Sequence, residues 1–298
     1  MLEQEAIELG NKTQRKGSRE FIVNGIRFFN ATSVSKEARL ITKDKLKTKD
    51  LAKALGVRTP DYYKLSRGEP LTPKLPFPLV LKPIYGTGSQ GVHVNINSKE
   101  EFKSIAQKLL KTKKSIMVEE YVEGKKYRVL NTDNKILSVI YIEAQTITGN
   151  GRSSIEELIN RKNIERREKF KHLPPYVLPK IKISKKVLER HGYTKATALP
   201  RGLVLQIYDL ASMTTGGKAY EFFDDYKDIF HNICVDSVKA VPGLKLSGTD
   251  IIVTEDGTQY LIELNSYPNL DVHLGVENRE PINVFKGIME EFLNGQTK

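Results

Sequence analysis

The chain of 298 residues holds a single cysteine, Cys234, so no disulfide framework can form, and a cysteine-based zinc site lacks its ligands. Cys234 reads as a core residue on a helix face. The histidines, His93, His172, His191, His231 and His273, fall at no metal-binding spacing. Long apolar runs are also missing. The stretch from Ile136 to Ile142 is strand-sized and broken by Ser138, far short of the roughly 20 residues that cross a bilayer. Met1-Leu2-Glu3-Gln4-Glu5 is acidic and lacks the apolar core of a secretory signal. No internal repeat or low-complexity tract interrupts the chain. These absences exclude a disulfide-stapled secreted scaffold and a helical membrane protein, and lead to the expectation of a cytoplasmic protein. With 39% hydrophobic and 28% charged residues, the chain has the composition of a folded protein with a sizeable core.

Charge is the compositional outlier, at +12. Much of it is concentrated: residues 161–190 hold eleven Lys and Arg against Glu165, Glu168 and Glu189, a net of +8. Two readings stand, a solvated helix face followed by a proline-containing loop, or an anion-binding surface.

Periodicity and punctuation give a mixed α/β pattern of the α+β type, with largely antiparallel sheets. A hairpin is expected around Asn24-Gly25. A helix over about 43–55, with Leu51 and Leu55 on one face, should stop at Gly56. Ser98 with Glu101, and Ser153 with Glu156, read as capping boxes, the second helix running to about Asn160. Strands are expected at 79–82, 92–94, 116–122, 127–131 and 136–142. Ser184 starts a helix that stops at Gly192, Asp225 caps one reaching Val238, and Pro281 opens the last.

The most informative segment is Thr249 to Asn265. Two strand-like runs flank Asp256-Gly257, which favours a type I′ turn with Glu255 opposite Thr258. That register places Asp250 directly opposite Glu263. Opposed carboxylates repel at about 5 Å between Cβ atoms, and Asn265, two residues on, shares their face. An all-oxygen cluster of this kind suits Mg²⁺, or Mn²⁺ in its place. The alternative is a hydrated, solvent-facing hairpin.

Tyr85 to Val92 is a small-residue loop after an apolar strand that ends in Lys82. Its glycines would let backbone amides approach an anion. It lacks the Gly-Lys-Ser/Thr ending of a P-loop, and a plain glycine turn is the competing reading. Lys82 would be costly to bury without a partner such as phosphate, unless it snorkels to solvent. Val118 to Val122 reads as an edge segment that could face a flat purine, or as an ordinary strand. Thr214-Thr215-Gly216-Gly217 is a second small-residue turn.

Taken in order, Asp44-Lys45 with Thr48, Lys82-Pro83, the Gly86–Val92 loop, Val118–Val122, Thr215-Gly216-Gly217, Asp250 and Glu263-Leu264-Asn265 with Pro268 resemble the ATP-grasp superfamily. Gly149-Asn150-Gly151-Arg152 before Ser153, and Gly202 through Gly217, are similar to the ATP-grasp modules of cyanophycin synthetases and bifunctional glutathione synthetases. The resemblance spans roughly residues 30–275. It implies two α+β lobes clasping a nucleotide, with a reduced N-terminal segment 1–42, a lid lobe 43–121 and a C-terminal lobe 122–298 that carries the metal site and the basic run. It further implies that Lys45 and Lys82 contact ATP phosphates, that Gly88, Ser89, Gln90 and Gly91 cover them, and that Glu119, Glu120 and Val122 meet the adenine. Asp250, Glu263 and Asn265 match the Mg²⁺ ligands.

Two positions depart from the pattern. Lys126 stands where relatives carry an acidic residue for the ribose, leaving Glu123 as a substitute. Tyr208 stands where an arginine is expected, leaving Arg128 or Arg201 to supply the catalytic charge. The resemblance implies a carboxylate–amine ligase that works through an acyl phosphate on an amino acid or peptide, with ATP and small carboxylate and amine substrates as its partners. It looks like a standalone module, and acceptor binding could involve a second copy or a partner subunit. The competing functions are a non-catalytic ATP-binding subunit, motivated by Lys126 and Tyr208, and a nucleic-acid-binding protein, motivated by the charge. Only Phe170 and Tyr176 interleave the basic run, which gives little basis for base stacking.

Overall fold

Small polar side chains fix where several of the helices begin. In this computed structural model, which describes residues 1–17, 20–29, 34–86, 90–173, 180–208, 211 and 216–294, helix α1 (Leu2–Glu8) precedes a three-stranded antiparallel meander. Its strands are β1 (Thr13–Gly17), β2 (Glu20–Val23) and β3 (Ile26–Phe29). Asn24 and Gly25 both take positive φ, 47° and 78°, between the paired Val23 and Ile26. The expected hairpin is present, closed by a two-residue turn whose positive φ values are those of type I′. Ser35 caps α2 (Lys36–Lys43), a helix that the periodicity does not reveal, and Asp44 caps α3 (Lys45–Ala54) by accepting from the Lys47 amide.

Then follow β4 (Tyr62–Ser66), β5 (Leu79–Pro83), β6 (His93–Ile96), α4 (Lys99–Thr112), β7 (Ser115–Glu120), β8 (Lys125–Thr132), β9 (Ile136–Glu143) and β10 (Thr146–Thr148). Helix α5 (Ile155–Lys169) starts one residue later than expected and runs nine residues further. The Ser153 hydroxyl accepts from the Asn150 side-chain amide, so Ser154 forms the capping box with Glu157. Helix α6 (Lys185–His191) stops at left-handed Gly192. After β11 (Val204–Gln206) and β12 (Lys218–Glu221), the helix expected from Asp225 is two pieces, α7 (Phe223–Tyr226) and α8 (His231–Lys239), with Ile229 exposed between them. β13 (Leu246–Val253), β14 (Gln259–Asn265), a 3₁₀ turn (Leu270–His273) and α9 (Val284–Asn294) follow, the last helix beginning later than Pro281 suggests.

The chain divides into two compact units, one of Met1–Val139, Asp224–Pro268 and Phe285–Lys298, the other of Ile140–Phe223 and Asn269–Val284. In the first, β4-β7-β5-β6 form an antiparallel sheet covered by α4, whose Phe102, Ala106 and Leu109 pack on Leu65, Leu79, Leu81 and Ile116. β13 lies between β8 and β14, antiparallel to both. Ile41 of α2, Ala52 of α3 and Val238 of α8 pack with Leu261 and Leu264 of β14. In the second unit, β10 pairs with β11 beside α5 and α6, and Ile140–Glu143 pairs with β12. Among the described residues no helix is long and apolar enough to cross a membrane.

Candidate functional site

Helix α3 buries a polar stripe. Lys45, Thr48, Lys49 and Ala52 recur at helical spacing and are its buried residues, whereas Leu55 is exposed. The expectation that Leu51 and Leu55 define its inner face therefore fails for Leu55. A lysine enters a protein interior only with a counter-charge, and each buried lysine has one. Lys49 Nζ lies 2.5 Å from Glu119 Oε1 and donates to the Leu261 carbonyl at 3.2 Å. Lys82 Nζ donates to Glu119 Oε2 at 2.5 Å. Lys45 Nζ lies 3.2 Å from Glu263 and donates to the Gly86 carbonyl at 2.9 Å.

Glu119 thus bridges two lysines inside the protein, its side chain 3% exposed. Burial pushes its carboxyl up, but Lys49 and Lys82 outweigh that and hold it below the usual carboxylate range. Burial lowers Lys49 to about 8, with Glu119 and Glu263 opposing the shift and Lys82 adding to it. β7, which carries Glu119, is an interior strand flanked by β4 and β5. The edge-strand reading is overturned for residues 118–120, because both backbone rims of 115–120 are hydrogen-bonded within the sheet, whereas 121 and 122 lie past the strand. Past the sheet, Val122 is half-buried and Glu123 exposed. The Glu120 carboxylate accepts from the Asp61 amide at 3.4 Å.

Asp250 does pair with Glu263 across β13 and β14, but by a different route from the expected one. The turn is not a two-residue I′ hairpin. Within it Gly257 alone takes positive φ, 84°, and Asp256 accepts from the Thr258 amide and the Thr254 hydroxyl, giving a longer loop closed by Thr254 and Thr258. Val253 then faces Gln259, one residue out of the expected register, until an irregularity between Asp250 and Ile251 restores it. The extra residue, Ile262, is the kind of insertion that a β-bulge accommodates.

The opposed carboxylates are each met by cations. Asp250, buried, binds Arg128 through Oδ1 and Lys126 Nζ at 3.2 Å through Oδ2. Both cations come from β8, where Arg128 is opposite Asp250 and Lys126 opposite Ile252, so all three share a face. Burial opposes ionisation of Asp250, but Arg128 and Lys126 win and bring its carboxyl down to about 2. Burial likewise works against the charge on Arg128, and Asp250 with Glu263 prevails to raise it. Gly248 makes room for that side chain: a Cβ there would sit 2.8 Å from Pro268 Cβ and 3.3 Å from Arg128 Cδ. Asn265 pairs with Gly248 and donates to its carbonyl at 3.3 Å, on the face of Glu263. Among the described residues no three His, Cys, Asp or Glu side chains group as a metal site. The donor set is two carboxylates and an amide oxygen, hard ligands that fit Mg²⁺.

Near the glycine loop, α3 is tied to the residues leading into it. The Lys45 amide donates to the Ile84 carbonyl, and the Tyr85 hydroxyl to Asp44 at 2.7 Å. Gly88 and Ser89 lie outside the described residues. Gln90 is exposed, and Gly91, at φ 72°, packs against Pro83, where a Cβ would come within 3.1 Å. Tyr176, Thr214 and Thr215 also lie outside the described residues. Arg201 belongs to the second unit, exposed beside Gly151. Tyr208 packs against the apolar cluster of that same unit. Lys49 is absent from the residues expected at the site, although its spacing from Lys45 and Thr48 carries the signal.

The family model of the ATP-grasp domain matches residues 42–269. The chain belongs to the ATP-grasp family. It is 31% identical over 226 residues to the cyanophycin synthetase of Trichormus variabilis, covering 72% of this chain and 24% of that one. It is 27% identical over 269 residues to the glutathione biosynthesis bifunctional protein GshAB of Clostridium perfringens, covering 82% and 33%. The ATP-grasp chain thus spans about a quarter to a third of the length of the curated relatives it matches. Its fold is similar to that of a bifunctional glutathione synthetase from Pasteurella multocida, with a TM-score of 0.66 at 18% identity over 99% of this chain and 43% of that one. A D-alanine–D-alanine ligase from Bacillus anthracis gives 0.53 at 19% identity, over 80% and 60%.

Proposed function

We propose that this ATP-grasp chain is an ATP- and Mg²⁺-dependent carboxylate–amine ligase that joins an amino acid, a peptide or another small carboxylate to an amine. One observation carries the reading. Five cations, Lys45, Lys49, Lys82, Lys126 and Arg128, are ion-paired to three carboxylates, Glu119, Asp250 and Glu263. Their formal sum is +2. Glu263 is felt by both Lys49 and Arg128, which links the pairs into one network. Such a positive excess, partly withdrawn from solvent, calls for an anionic ligand. ATP carrying one Mg²⁺ has a charge of about −2 when its phosphates are fully ionised, the complement of that excess.

In the proposed reaction a substrate carboxylate oxygen attacks the γ-phosphorus and ADP departs with the electrons of the broken P–O bond. The amine nitrogen then attacks the acyl carbon, the C–O bond to phosphate breaks, and the nitrogen loses a proton. Asp250, Glu263 and Asn265 would hold the metal, which supplies charge neutralisation at the phosphates. Lys45, Lys82 and Arg128 would bind and orient the triphosphate, an electrostatic role aimed at charge on the transferring group. Arg128, already at the carboxylates, is favoured over Arg201 for this task. Glu119 would serve by fixing Lys82, with the adenine left to the backbone of 121–124.

The basic run does not favour the nucleic-acid reading. Lys169 is paired with Glu277, Lys171 with Glu168 and Lys185 with Glu189, and Lys162 donates to the Thr146 carbonyl. The test is incubation with ATP, Mg²⁺ and pooled amino acids or peptides, following ADP and phosphate and the amide product by mass spectrometry. Absence of nucleotide binding by calorimetry overturns the proposal. ATP binding without any amide product would favour the non-catalytic subunit.

A further inference from the structure

We propose that Lys126 is a built-in counter-ion for the metal-side carboxylate, so that the site accepts a divalent cation only together with nucleotide phosphate. The inference rests on the functional reading above for the identity of the nucleotide, but not for the behaviour of the carboxylates themselves. Asp250 has two oxygens and both are engaged, Oδ1 by Arg128 and Oδ2 by Lys126 at 3.2 Å. Glu263, directly opposite, is engaged by Lys45 at 3.2 Å. These two carboxylates therefore face three cations, a local sum of +1. A bare divalent cation would raise it to +3 in a setting where the Asp250 side chain is only 5% exposed.

Lys126 differs from the other two cations. Its side chain is 30% exposed, against 19% for Arg128 and 8% for Lys45, and an ammonium on a flexible stem can swing out, while the guanidinium of Arg128 lies packed over Gly248. With nucleotide phosphate present to supply the negative charge, Lys126 would transfer its hydrogen bond from Asp250 Oδ2 to a phosphate oxygen, leaving that carboxylate oxygen free to hold the divalent cation. The exchange moves one proton donor between two acceptors and needs no covalent step. In this way Lys126 becomes a gate that couples metal entry to nucleotide entry.

The magnitude follows from the distance. A metal bound at about 2.1 Å from Asp250 Oδ2 would lie within about 5 Å of the Lys126 ammonium, and a unit charge at that range from a divalent cation changes affinity by at least about tenfold even at the dielectric constant of water. The experiment uses the full chain and Mn²⁺ as the probe, with free Mn²⁺ read by electron paramagnetic resonance and total binding by calorimetry. The wild type is expected to bind Mn²⁺ at least about tenfold more weakly without nucleotide than Lys126→Gln does, and Lys126→Glu to bind more tightly still. Lys125→Gln removes an equal charge from the exposed neighbour that points off this face, and should leave Mn²⁺ binding within about twofold of wild type. Adding a non-hydrolysable ATP analogue should restore tight Mn²⁺ binding to the wild type and narrow its gap to Lys126→Gln. Equal nucleotide-free affinities in wild type and Lys126→Gln, or an effect of Lys125→Gln as large as that of Lys126→Gln, overturns the gate. Failure of the ATP analogue to bind any variant would instead overturn the functional reading, and the nucleotide-free comparison would still decide the role of Lys126.

Discussion

Removing Glu119 and removing Lys49 should have opposite consequences, although the two residues form one ion pair. The group is a buried triad of two lysines and one carboxylate, with side-chain exposures of 2%, 5% and 3% for Lys49, Lys82 and Glu119. Glu119→Gln leaves two ammonium groups facing each other without a carboxylate, the situation in which breaking a buried ion pair costs about 3–5 kcal/mol. Lys49→Met leaves a neutral Lys82–Glu119 pair. Lys49 titrates at about 8 in the folded chain against an ordinary 10.5, so keeping it charged at neutral pH costs roughly 3 kcal/mol at about 1.4 kcal/mol per pH unit. The methionine removes that net cost, which already includes the attraction to Glu119, and loses the hydrogen bond to the Leu261 carbonyl, about 1 kcal/mol. Lys49→Met should therefore be neutral or stabilising by up to about 2 kcal/mol. The assay is urea unfolding followed by circular dichroism and tyrosine fluorescence. The pH dependence supplies a second readout. Between pH 8 and 10.5 the unfolded chain holds the Lys49 proton that the folded chain has released, so stability contributed at this position rises with pH across that window. Lys49→Met should flatten the rise. Destabilisation of Lys49→Met by more than about 2 kcal/mol, or of Glu119→Gln by less than about 1 kcal/mol, would refute the reasoning.

Asp250, held at about 2 against an ordinary 3.8, stabilises the fold fully above pH 3.8 and loses that contribution as pH falls through 2; Asp250→Asn should lack this acid limb in unfolding titrations and release ADP about 10²-fold more slowly. Arg128→Gln should lower turnover by a similar factor of about 10² while calorimetry still detects nucleotide binding, because Lys45 and Lys82 remain. Gly124→Ala should cost about 1–3 kcal/mol in the same unfolding assay, since a Cβ there would overlap the Val253 carbonyl of β13.

The elements legible in the sequence are those whose signal is local. Asn24-Gly25 specifies its own turn through two positive φ angles, and Gly192 stops α6 for the same reason. Asp250 opposite Glu263 is also legible, but by two compensating deviations. The Asp256 side chain closes a longer loop than Asp-Gly suggests, and the added residue at Ile262 returns the strands to register. Neither event has a composition of its own, because a bulge is selected by the strands it joins. Lysine is the least legible residue. On α3 the hydrophobic pattern points to Leu51 and Leu55, yet burial follows Lys45, Thr48 and Lys49, since Glu119 and Glu263 arrive from β7 and β14 to neutralise them. Glu263 lies 218 residues beyond Lys45 and Glu119 lies 70 beyond Lys49, so no local window contains the charge that makes burial possible.

The same long-range pairing changes what the excess of positive charge means. By count, the concentration is at residues 161–190, where the net is +8, but Lys169, Lys171 and Lys185 there are matched by acidic neighbours and stay exposed. Exposed pairs are screened by salt and contribute about 0–1 kcal/mol each. The five cations of the network around Glu119, Asp250 and Glu263 are fewer, yet three of them, Lys45, Lys49 and Lys82, are buried, so their field is far less screened. An excess of +2 held there selects ligands by charge as well as by shape. A magnesium-bound triphosphate, the ligand proposed above, would balance it, whereas a magnesium-bound diphosphate, with one negative charge fewer, would leave it partly uncompensated. On the proposed ligase reading, that charge difference would favour nucleotide before phosphoryl transfer over nucleotide after it, the direction needed for ADP to leave. Lys126, the most exposed of the five, is the cation best placed to move as that balance changes.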